Sequence, residues 1–208
     1  MSAPHIAAER LGADYFQDPY SVHARLRAQR PVTPVIMPGG ATVWLITGYA
    51  EARAALADPR MSKRMPGWHP EPGSVIATMD LHMLNSDPPD HGRLRRRCAT
   101  EPVELGGVHI GRGDPVLVSL SGANRDPARF GDPDRLDLGR DSSGHLAFGH
   151  GIHYCLGAPL ARLEAGIAIS GLLARFGSIS LAVPAASLRW RPSTLIHGLE
   201  ALPVRLAP

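Results

Sequence analysis

Cysteine, aromatic side chains and long apolar runs are all scarce in this sequence, and each scarcity excludes something. The two cysteines, Cys98 and Cys155, allow at most one disulfide, too few for a small secreted scaffold held together by cross-links. Nothing points to export, so reduced thiols in a cytoplasmic setting are expected. No stretch reaches the roughly 18 consecutive apolar residues that a spanning helix needs, so no membrane is expected. Residues 1–16 lack a basic segment followed by an apolar run, and no secretory leader is expected. Basic charge comes from arginine rather than lysine. The net charge of +3, from 22 basic and 19 acidic residues, is too mild for a nucleic-acid-binding tail, and no nucleic acid is expected as partner. Repeats and low-complexity tracts are absent.

What is present suits a folded core. Hydrophobic residues make up 44% and charged residues 20% of 208, which fits one ordinary domain over 1–208 or two small ones. The 22 Gly and 20 Pro promise long structured loops. Residues 18–30 read as a helix with Asp18 as N-cap and Pro19 in the first turn, ended by Pro31. Val32–Met37 and Thr42–Thr47 read as a hairpin around residues 38–41. Tyr49–Ala57 is a short Ala-rich helix stopped by Asp58-Pro59, and residues 60–86 read as loop. Asp87-Pro88-Pro89 opens a helix running towards Arg97. Val103–Leu105, Val108–Ile110 and Val116–Leu120 are expected to form a small β-meander. Residues 123–140 read as ordered coil. An apolar helix follows from about Pro159 to Phe176, with Gly177 as its stop, and the tail reads as one or two hairpins.

The chemistry lies in residues 148–157, Phe-Gly-His-Gly-Ile-His-Tyr-Cys-Leu-Gly. One cysteine sits in a Gly-spaced loop just ahead of an apolar helix, whose first N–H groups favour a thiolate. Such a sulfur can be a nucleophile, a metal ligand or an axial ligand to haem iron. It can also be a plain buried side chain in a loop that the glycines merely shape. The pattern Phe-x-x-Gly-x-His-x-Cys-x-Gly, continued by Ala158-Pro159-Leu160-Ala161-Arg162, resembles the cysteine loop of soluble bacterial cytochromes P450. The resemblance extends to Asp126–Arg140, similar to the coil preceding that loop, and to Asp87–Arg95, similar to the start of the family's C helix. Arg97–Glu101 resembles the strand whose arginine reaches a haem propionate.

The resemblance implies haem b (iron protoporphyrin IX) held by Cys155 as axial ligand to iron. His91, Arg95, Arg97 and His153 would hold the propionates, Phe148 would pack beside the sulfur, and Gly157 would bend the chain. His91 and Arg95 lie one helical turn apart and so share a face. The implied reaction is monooxygenation, with one oxygen atom of dioxygen inserted into a small organic substrate. Electrons would come from an NAD(P)H-linked ferredoxin-type donor, for which Arg162 offers a docking charge.

The fold class is α+β, the cytochrome P450 fold reduced to an N-terminal helix and hairpin part (1–96) and a C-terminal haem-loop part (97–208). The family's central segment is missing at about 96–98. None of the seven glutamates (Glu9, Glu51, Glu71, Glu101, Glu104, Glu164, Glu200) has an arginine three residues later, so the family's Glu-x-x-Arg helix is missing. No Asp-Thr or Glu-Thr pair occurs, so its proton-delivering acid–alcohol pair is missing too. Arg129 or Arg135 is therefore expected to lose the partners that fix the coil. Apolar surface left bare makes a homo-oligomer an expectation.

Other readings stay open. The chain is a catalytically impaired remnant, or a haem-binding protein that is not an oxygenase. His145, His150, His153 and Cys155 also offer N and S donors for zinc, though no second ligand pair supports them. Arg93, Arg95, Arg96 and Arg97 form a local basic cluster of the kind that binds nucleic acid, but lack aromatic stacking residues nearby.

Overall fold

The computed structural model describes residues 6–62, 96–193 and 197–208. The chain divides into two compact units, Met1–Cys155 and Leu156–Pro208.

In the first unit, the sequence between Asp18 and Ile46 folds as its local signals dictate. Helix α1 (Pro19–Gln29) starts where the Asp18 side chain accepts the Ser21 N–H at 3.2 Å, with Pro19 in the first turn. That carboxylate also accepts the Ser21 hydroxyl, and these bonds hold its pKa below the ordinary Asp value. Strand β1 (Glu9–Arg10) precedes the helix, and strands β2 (Val32–Ile36) and β3 (Thr42–Ile46) follow it as an antiparallel hairpin. Gly40, at φ 85°, makes the turn possible. Helix α2 (Tyr49–Ala57) then ends as Asp58 turns extended ahead of Pro59.

The sheet is completed from far along the chain. Strands β4 (Met61–Ser62), β5 (Arg96–Ala99) and β8 (Pro115–Val118) join the first three in the order β1-β2-β3-β8-β5-β4. β3 and β8 run parallel, whereas β8 is antiparallel to β5 and β5 to β4. β1 is parallel to β2. Alternating side chains feed two apolar clusters. Val32, Ile46, Val116 and Val118 pack on one face with Ala52, Ala55 and Leu56 of α2. Val35, Leu45 and Leu117 pack on the other with Leu26 of α1 and Tyr15 of the short 3-10 turn Ala13–Phe16. Burying one such Leu or Val side chain contributes about 1.5–3 kcal/mol.

Three expectations from the sequence are corrected. Residues 103–118 do not form a meander: among the described residues β6 (Val103–Leu105) and β7 (Val108–Ile110) form a two-stranded sheet of their own, across Gly106 and Gly107 in left-handed conformations. β8 leaves them for the large sheet. Asp114 fixes this departure by accepting both the Trp44 indole N–H and the Gly111 N–H at 2.9 Å. The helix expected from Asp87 falls mostly outside the described residues, and its expected end at Arg96 and Arg97 is strand β5. Met61 and Ser62, expected in a loop, form β4 against Ala99 and Cys98.

Residues 119–155 are mostly ordered coil, with one short helix, α3 (Leu120–Ala123), capped by Ser119. The second unit holds helix α4 (Ala158–Arg175) and the antiparallel pair β9 (Ser178–Leu181) and β10 (Val204–Ala207), with a bridge between Trp190 and Leu199. α4 ends on Phe176 in extended conformation rather than on a left-handed Gly177. Its large apolar side chains are exposed, Leu163, Ile167 and Leu173 by 60–65%. Among the described residues no helix is long and apolar enough to cross a membrane.

Candidate functional site

The coil that leads into the cysteine loop is held by its own polar side chains. Asp126 accepts the N–H groups of Tyr49 at 2.8 Å and Ala128 at 3.0 Å. Arg27, reaching from α1, donates to the carbonyls of Thr47, Gly122 and Arg125 and lies 3.7 Å from Asp126. Asn124 accepts the Leu146 N–H at 2.7 Å, placing Leu146 in the core. Arg129 donates to the Ser143 carbonyl at 2.6 Å and lies over the Phe130 ring. Tyr49 meets the same ring edge-on and donates its hydroxyl to the Gly144 carbonyl at 2.7 Å. Backbone groups that a coil would otherwise leave unmatched are thereby satisfied.

The cysteine loop is closed by backbone bonds. The Cys155 N–H donates to the Phe148 carbonyl at 2.8 Å, and the Tyr154 N–H to Gly151 at 3.0 Å. Gly151 opens a 3-10 turn through His153 and has φ 64°, a conformation that side chains rarely adopt. The turn rests on the last residues of α2: a Cβ on Gly151 would lie 3.1 Å from the Ala57 Cα and 3.2 Å from the Leu56 carbonyl oxygen. Cys155 is 5% exposed.

The expected site residues divide as follows. Phe148 is half-buried beside His145, at 6.0 Å between ring centroids. Arg97 is 1% exposed on β5 and pairs in register with Val116. Residues opposite one another on antiparallel strands share a face, so Arg97 lies on the α2 side of the sheet, where Leu146 also packs. Gly157 lies just ahead of α4 in the second unit, exposed. His153 is in the 3-10 turn, and nothing is described of its side chain. His91 and Arg95 lie outside the described residues.

Neither cysteine is joined in a disulfide, and the two differ in setting. Burial first, and then the nearby Asp114 charge, push the Cys98 thiol up from its ordinary value. Cys98 is therefore a protonated core side chain at neutral pH. Among the described residues no three His, Cys, Asp or Glu side chains gather as a metal cluster. What the first unit does offer is a soft sulfur in a fixed loop and a buried guanidinium. Those donors fit a ligand that combines a thiophilic metal with carboxylates. The supporting residues Tyr49, Asn124 and Arg27 carried no motif and went unread in the sequence, although Asn124 and Asp126 are types that bond to nearby backbone.

A cytochrome P450 family model matches residues 90–182. The chain is 56% identical over 109 residues, 52% of its length, to the cytochrome P450 monooxygenase PikC of Streptomyces venezuelae, where the stretch makes up 26% of that protein. It is 48% identical over 134 residues to cytochrome P450 107B1 of Saccharopolyspora erythraea, covering 64% of this chain and 32% of the other. The chain thus spans about a quarter to a third of these relatives. Among solved structures, the tirandamycin C-bound P450 monooxygenase TamI superposes with a TM-score of 0.87 at 27% identity, across 95% of this chain and 100% of that one. The Bacillus subtilis cytochrome P450 PksS of the bacillaene polyketide synthase gives 0.79 at 20% identity, a likeness of fold.

Proposed function

Because the chain belongs to the cytochrome P450 family, we propose that it binds haem b through the Cys155 thiolate. The observation that carries this reading is the Cys155 sulfur itself, buried and held in a loop closed on the Phe148 carbonyl. Arg97 supplies a planar, permanently charged fork for one propionate. His91, Arg95 and His153 are assigned to the same two carboxylates. Phe148 shields the sulfur from water, and Gly157 leaves room for the bend into α4. When bound, the haem supplies dioxygen binding and electron transfer, with the sulfur as electron donor to the iron. The test is the absorption spectrum of reduced, carbon-monoxide-treated protein after haem reconstitution. A strongly red-shifted Soret band in the natural protein, absent in Cys155→Ala, is expected; equal haem uptake by both would refute the assignment.

The reaction proposed is the family's monooxygenation of a small organic substrate, with electrons from a ferredoxin-type donor. Arg162, exposed on α4, is assigned to docking that donor. Reduction by a ferredoxin should slow in Arg162→Glu, and unchanged reduction kinetics would remove this role.

A second reading is favoured by one observation: the sequence has no Asp-Thr or Glu-Thr pair and no Glu-x-x-Arg. Ordered proton delivery and exclusion of bulk water both depend on such elements. On this reading the protein holds haem without coupled oxygenation, and NAD(P)H consumed in the presence of a reductase system appears as hydrogen peroxide rather than as oxidised substrate. Product formed in proportion to NAD(P)H would decide for the first reading.

A further inference from the structure

We propose that helix α2 is the splint that positions the Cys155 sulfur, with Tyr49 and Ala57 at its two ends as positioning residues. This rests on the reading of Cys155 as the iron ligand. The helix is nine residues long and belongs to the N-terminal part of the chain, yet it engages the cysteine segment twice. At its first residue, the Tyr49 hydroxyl donates to the Gly144 carbonyl at 2.7 Å, while the Tyr49 N–H donates to Asp126 at 2.8 Å. At its last residue, the 3-10 turn lies so close that a methyl on Gly151 would meet the Ala57 Cα at 3.1 Å and Cβ at 3.4 Å.

Between these two grips the chain from 144 to 151 is tied down a third time, by the Asn124 side chain on the Leu146 N–H. The body of the helix is anchored independently, since Ala52, Ala55 and Leu56 are each at most 2% exposed in the sheet's core. A rigid element fixed to the core therefore sets both the approach and the turn of the loop that carries the sulfur. A segment bonded at one end and closely packed at the other has little freedom to open, and local opening is what admits solvent and reagents to a buried group.

The direct readout is the rate at which a small disulfide reagent labels Cys155 in the full-length haem-free protein, with Cys98→Ala removing the other thiol. Tyr49→Phe deletes one hydroxyl and keeps the ring against Phe130, so the fold should survive. Its labelling rate should rise roughly three- to tenfold, the effect of losing one net hydrogen bond. Ala57→Val, which crowds Gly151, should raise the rate at least as much, whereas Ala57→Gly should keep the natural rate. In reconstituted protein, Tyr49→Phe and Ala57→Val should also lower the red-shifted fraction of the carbon monoxide spectrum. Labelling rates within twofold of the parent in folded Tyr49→Phe would overturn the proposal, even if Ala57→Val fails to fold. Haem uptake independent of Cys155 would instead overturn the ligand assignment, and the labelling experiment distinguishes the two because it uses no haem.

Discussion

At the scale of single residues, Arg97 and Asp18 show how differently two charges act. Arg97 is a guanidinium at 1% exposure among apolar strand residues. An apolar side chain of similar length at such a place is often tolerated or even stabilising. Arg97→Met should therefore keep the fold while haem affinity drops about tenfold or more, the loss of one charge-assisted bond. Thermal unfolding of the haem-free variant and a haem titration check the two halves. Asp18 works at a helix end, and Asp18→Ala should lower stability by about 1 kcal/mol in urea unfolding. Its folded pKa is depressed, so its contribution is fully present above the unfolded value, about 4, and is lost as pH falls through the folded value. The parent–variant difference should accordingly shrink as the pH drops from about 5 towards 2. Asp18 was legible in the sequence because capping is a local signal, and Cys155 because its flanking pattern is dense. Tyr49 and Asn124 were not, since their partners lie 95 and 22 residues away.

At the scale of elements, local periodicity located α1, α2, the β2–β3 hairpin and α4 to within a residue or so. It failed where pairing depends on distant chain. β5 was read in part as helix because an acidic cap and prolines upstream suggested one, and β8 was assigned to the nearest strands rather than to β3. The parallel pairing of Trp44, Leu45 and Ile46 with Val116, Leu117 and Val118 has no local signature. Helix α4 carries a different lesson. Its apolar residues are too many for one buried stripe, and Leu160, Leu163, Ile167, Ile169 and Leu173 are all more than half exposed. Exposed apolar surface of this kind drives association. Size-exclusion chromatography should show oligomers that recede in a Leu163→Glu, Ile167→Lys double variant; a monomer at high concentration would contradict this.

At the scale of the whole molecule, the described six-stranded sheet joins strands from the head and the later part of the sequence, and a bound cofactor would add to stability by mass action. With haem at about a hundred times its dissociation constant, unfolding should cost about 2.7 kcal/mol more. Scanning calorimetry should show the added stability in the parent protein and little of it in Cys155→Ala. The central sheet also dictates when the molecule can take shape. Strand β3 finds its second neighbour only when Val118 has been made, about 70 residues after Ile46. At bacterial translation speeds of about 5–20 residues per second, that leaves the β2–β3 hairpin waiting roughly 4–14 s with an open flank. During that interval the nascent chain presents bare strand backbone to its surroundings. Yield in a living cell should consequently depend on holdase chaperones that guard emerging polypeptide at the ribosome.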